Sequence, residues 1–152
     1  MSTNDFIKAT IYENDSLEEF VATTFLVEMS EYQFNVFGRD EITSKGIAIY
    51  IHDYADITAK KYEFITDPDH PDYQKYGGHY NAKGDGNSWL STTGFIELTE
   101  YNATDKKMKG TFEFVAKSDD QKNTATLKGS FDLEKPVQTL MTFLHPLLKT
   151  AP

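Results

Sequence analysis

The sequence predicts an all-β domain, an antiparallel β-sandwich of about eight or nine strands with a barrel as the alternative, and three observations carry that expectation. Apolar and polar residues alternate with a period of two in run after run, clusters of polar turn residues separate the runs, and aromatic residues reach 14%, supplied by Phe and Tyr, which suit half-buried pleated surfaces. The chain has 152 residues, 39% of them apolar and 26% charged, a balance that supports one hydrophobic core. The β domain is expected over residues 1–135, followed by an amphipathic helical tail over 136–152.

Ile7, Ala9 and Ile11 alternate with Lys8, Thr10 and Tyr12, which predicts a first strand with one inward face, closed by the polar run Glu13-Asn14-Asp15-Ser16. A β-branched and aromatic run from Phe20 to Met29 predicts the second strand. Tyr32 to Phe37 alternates again and is expected to stop at Gly38, and Gly46 to His52 places Ile47, Ile49 and Ile51 on one face with Ala48, Tyr50 and His52 on the other. Tyr62 to Ile65 is a shorter strand. Between Thr66 and Ser88 the alternation gives way to Asp, Pro, Gly, Asn and Tyr, and this stretch is expected to be the longest loop. Strands resume over Thr92 to Tyr101, Met108 to Lys117 and Ala125 to Leu133, joined by connections of hairpin length.

Past Pro136 the period changes to three and four. Val137, Leu140, Met141, Leu144, Leu147 and Leu148 form a helical stripe that starts after a proline suited to the first turn and is interrupted by Pro146. Such a stripe docks on its own sheet or serves a partner or a second copy, with Leu140, Phe143, Leu144 and Leu147 as the anchors.

Charge narrows the function. The formal net charge is -9, and Arg39 is the single arginine among fifteen basic residues, which argues against nucleic acid, since phosphate contacts need clustered Lys and Arg. No cysteine is present, so disulfides, thiolate metal sites and cysteine nucleophiles are excluded. No segment approaches the roughly 20 apolar residues of a membrane helix. The chain as written is expected to be soluble and cytoplasmic.

The segments Ser91-Thr92-Thr93-Gly94-Phe95-Ile96-Glu97-Leu98-Thr99-Glu100-Tyr101, Lys109-Gly110-Thr111-Phe112-Glu113-Phe114-Val115-Ala116 and Lys128-Gly129-Ser130-Phe131-Asp132 resemble a family of small bacterial β-sandwich domains of unknown function. The resemblance extends from about Phe6 to Leu133 and leaves out the tail. It implies a β-sandwich, often exported as a lipoprotein, which would place the chain in the bacterial envelope if a signal segment has been removed, and it implies no catalytic residues.

Few constellations suggest chemistry. Asp67, Asp69, His70 and Asp72 bring oxygen and nitrogen donors close in sequence, but Pro68 and Pro71 break any EF-hand spacing, and a solvated, proline-stiffened turn is the plainer reading. His52 and Asp53 are adjacent in a strand and so point to opposite faces. Trp89, the lone tryptophan, either packs at a core edge or is exposed to a ligand. No nucleophile elbow, phosphate loop or dinucleotide fingerprint occurs, and no cofactor is implied. The leading expectation is a non-catalytic binding or assembly module that presents the Thr66 to Ser88 loops and the tail. The alternatives are a small-ligand protein for a lipid or carbohydrate at Trp89, and an acidic inhibitor or immunity-type protein.

Overall fold

A computed structural model describes residues 5–84 and 87–134. The expected helical tail, with Leu140, Phe143, Leu144 and Leu147, lies outside the described residues. Every described element is a strand: β1 (Phe6–Glu13), β2 (Ser16–Val21), β3 (Thr24–Met29), β4 (Gln33–Asp40), β5 (Lys45–His52), β6 (Lys61–Glu63), β7 (Tyr76–Asn81), β8 (Ser88–Asn102), β9 (Lys107–Lys117) and β10 (Thr124–Glu134). Among the described residues no helix is long and apolar enough to cross a membrane.

The strands form one antiparallel sheet in the order β2-β1-β10-β9-β8-β7-β5-β4-β3, with β6 paired to β8 beside this path. Nine strands therefore run along a single sheet curled into a half-barrel, where the sequence predicts two facing sheets or, as the alternative, a barrel. Alternation is the same in all these arrangements, because each puts every second residue of each strand inside.

What curls the sheet is the expected strand from Phe20 to Met29, which is two strands on opposite edges. β2 pairs with β1 and β3 with β4, and only Ala22 and Thr23 lie between them, so the two edges are drawn together. Ala22 N–H donates to the Ile7 carbonyl at 2.9 Å and Thr23 N–H to the Arg39 carbonyl at 2.7 Å. The seam needs small residues. A Cβ on Gly38 would stand 2.9 Å from the Ala22 Cβ and 3.0 Å from Ile7 Cδ1, which is why a glycine sits inside β4 and does not end it.

The interior is filled by side chains. Phe20, Phe34, Tyr62, Phe112, Phe114 and Phe131 are among the largest fully buried residues, each supplied by alternation along its strand. Phe112 stacks on Phe131 with centroids 6.5 Å apart. The free edge of β2 carries Glu18 and Glu19, charges of the kind that discourage pairing with another chain.

The expected loop from Thr66 to Ser88 contains β7. Gly77 and Gly78 suggest a loop, yet both are demanded by neighbours. A Cβ on Gly77 would lie 2.5 Å from the Tyr50 hydroxyl, and one on Gly78 would lie 2.6 Å from Phe114 Cε1. The irregular part before β7 is Thr66 to Lys75, held to the body by Lys75. Its ammonium is 3.1 Å from Asp53 Oδ1 and 3.7 Å from Asp72 Oδ1, and it lies 4.4 Å from the Tyr54 ring centroid.

Candidate functional site

Antiparallel hairpins place their turns alternately at the two ends of the half-barrel. At one end the turns β1–β2, β4–β5, β7–β8 and β9–β10 converge on a cleft of about 540 Å3, within the range of small-ligand sites. At the opposite end the Tyr101 hydroxyl donates to the Ser30 carbonyl, binding the β8 terminus to the β3–β4 turn.

Among the described residues Trp89 is the one aromatic residue lining the cleft, and Tyr80 lies beneath it. Tyr80 and Trp89 are register partners on β7 and β8 and meet edge to face at 5.3 Å and 85°. Tyr80 is fully buried, and Trp89 is 9% exposed, its accessible part facing the cleft. The Tyr80 hydroxyl donates across to Glu13 Oε1 at 2.9 Å, tying β7 to the end of β1. Burial, and after it the Glu13 carboxylate, push the Tyr80 phenol far above its ordinary value, so it stays a donor throughout the working pH range.

The rim is polar and fixed by local hydrogen bonds. The β1–β2 turn has two residues, Asn14 and Asp15, both with positive φ (53° and 61°), the geometry of a type I′ hairpin that Asn and Asp tolerate. In the β9–β10 turn the Ser118 hydroxyl donates to Asp120 Oδ1 at 2.6 Å and accepts from Asn123 N–H at 3.1 Å. The Ser118 hydroxyl and then the Lys122 N–H hold the Asp120 carboxyl below its usual range. Asn81 Oδ1 accepts from Gly84 N–H at 2.6 Å, closing the β7–β8 turn. Lys45 ion-pairs with Glu18 on β2. Glu13, Asn14, Lys83, Asp119 and Asn123 also face the cleft.

Chemically, the cleft offers acceptors at Glu13 and Asp119, mixed donors and acceptors at asparagine amides, and a small apolar contact at Ala82 and Trp89. The Ser118 hydroxyl is engaged within its own turn. Among the described residues no three His, Asp or Glu side chains form a group that could hold a metal ion.

The other expected residues lie elsewhere. Asp67 Oδ1 accepts from Asp69 N–H at 2.9 Å, His70 Nδ1 accepts from Asp72 N–H at 3.0 Å, and Asp72 faces Lys75, so these donors bind their own turn. His52 faces out of the sheet, with Nε2 3.0 Å from Asn35 Oδ1, and the Asn35 amide donates to Glu28 Oε1 at 3.1 Å. Tyr50 lies between His52 and His79, with centroids at 5.2 and 5.6 Å. Burial pulls the His79 imidazole below its ordinary value. Of the residues around this cleft the sequence singles out Trp89 alone, and Glu13, Asn14 and Asp119 join it only in the fold. The turn signals were visible, whereas their convergence depends on strand order.

No family model matches the chain, and neither a curated protein nor a solved structure matches it.

Proposed function

We infer that this domain is a non-catalytic binding module whose recognition surface is the turn-ringed end of the half-barrel. One observation carries the reading: turns from four separate hairpins converge on the accessible part of Trp89 and on Glu13, which Tyr80 anchors from below. Binding sites on β scaffolds concentrate in turns at one end, where the sheet holds them rigidly while their residues vary.

The filled interior, with Phe20, Phe112, Phe114 and Phe131 buried, favours a ligand held at the mouth over a lipid enclosed within. An assembly role through the whole Thr66 to Ser88 segment has less support, because β7 takes six residues from its middle and only its end, at Ala82, Lys83 and Asn87, reaches the cleft. The resemblance to small bacterial domains adds no catalytic residues to this reading.

The lone tryptophan supplies the test. A diverse library of polar small molecules is titrated against the full chain while Trp89 emission is followed. Saturable change with one chemical class, weakened by Asp119→Ala at the rim, is the expected result. Emission that stays constant across the library overturns the reading.

A further inference from the structure

We propose that the ligand of the mouth is a neutral carbohydrate, an inference that rests on the reading of the mouth as the binding site. Three features of the cleft point to that class.

The first is an acidic excess, which disfavours an anionic ligand. Glu13, Asp119 and Asp120 are set against Lys45 and Lys83, and Lys45 is already paired with Glu18. A phosphate or carboxylate ligand would need several cations aimed at it and would meet three carboxylates instead. The second is the chemistry of the polar groups. A sugar hydroxyl donates and accepts at once, and it is matched by carboxylates that accept and by amides, here Asn14 and Asn123, that do both. These groups are held before any ligand arrives: Asn14 by the two-residue turn, Asp120 by Ser118, and Glu13 by Tyr80, which leaves the second carboxylate oxygen near Asn14 Nδ2 at 3.4 Å. Preorganisation lowers the ordering cost of binding. The third is the small accessible part of Trp89, an apolar contact among polar groups. A pyranose ring has C–H groups that can rest on that part of the indole and an equator of hydroxyls that reach the rim.

The test uses the labelled full chain on an array of neutral glycans, with sulfated and uronic acid glycans and acidic and basic peptides alongside, followed by calorimetry with the best ligand. The expected result is binding to neutral glycans that changes less than two-fold when salt is raised, since no ion pair is formed. Glu13→Gln keeps an acceptor for Tyr80 and is expected to weaken binding about ten-fold or more, because a charged acceptor is lost. Asp119→Asn provides a second rim variant, expected to weaken binding in the same direction. Binding to anionic glycans or peptides alone, or neutral-glycan binding unchanged in both variants, overturns the carbohydrate assignment. If the polar library perturbs Trp89 while no glycan binds, the carbohydrate assignment fails and the mouth remains the site. If neither binds, both fail.

Discussion

The Tyr80 hydroxyl donates to Glu13 Oε1 at 2.9 Å, so a fully buried phenol from β7 fixes the carboxylate that ends β1. One hydrogen bond thereby links the core to the proposed binding surface. Tyr80→Phe is expected to lower unfolding free energy by about 1.5–3 kcal/mol, the worth of a hydrogen bond to a charged group. Urea denaturation at neutral pH measures it, and a loss near zero would show that the contact is not made in solution.

The same burial sets alkaline behaviour. Tyr80 and Tyr101 are both pushed well above the ordinary value of 10.0, chiefly by desolvation. Groups whose folded pKa is raised contribute stability that is complete below the unfolded pKa and is lost as pH climbs towards the folded value. Unfolding free energy is therefore expected to fall above pH 10. In a spectrophotometric titration, these two phenols should ionise only as the chain unfolds, whereas reversible ionisation of all nine tyrosines in the folded protein would contradict the burial.

At the other flank, Asp53 and Lys75 fasten the Thr66 to Lys75 segment. Burial opposes the charge on Asp53, but the Lys75 hydrogen bond and the Tyr54 N–H prevail and hold its carboxyl below 3.8. Its contribution is present above the unfolded value and lost as pH falls through the folded one. Asp53→Asn is expected to cost about 1 kcal/mol at pH 7, after allowance for solvent screening. The two proteins should converge in stability in strong acid, and a gap that is constant with pH would count against the ion pair.

Gly78 tests why β7 was hard to see in the sequence. Gly78→Ala would place a Cβ 2.6 Å from Phe114 Cε1, an overpacking expected to cost about 1–3 kcal/mol. The added Phe114→Leu change should recover part of that loss. Simple additivity of the two changes in thermal denaturation would mean that the glycine is there for another reason.

Legibility followed the range of the interactions involved. The alternation of Ile47, Ile49 and Ile51 gave β5 nearly to its ends, and Glu13-Asn14-Asp15-Ser16 gave a turn, because both signals are local. β7 was hidden because Gly77 and Gly78 answer to Tyr50 and Phe114, which are distant in sequence. The half-barrel was hidden in the same way: a break of two residues at Ala22 and Thr23 within one apolar run sends β2 and β3 to opposite edges. Trp89 stood out as the only tryptophan, while Glu13 and Asp119 looked like ordinary turn residues until strand order brought their turns together.

The most direct measurement is a backbone amide shift map of the full chain during titration with the neutral glycan that binds best on the array. The account predicts shifts confined to the turns around Asn14, Lys83 and Asp119, with a change in the single indole N–H of Trp89. Shifts confined to the outward face around Tyr50, His52 and His79, with the Trp89 indole unmoved, would contradict it.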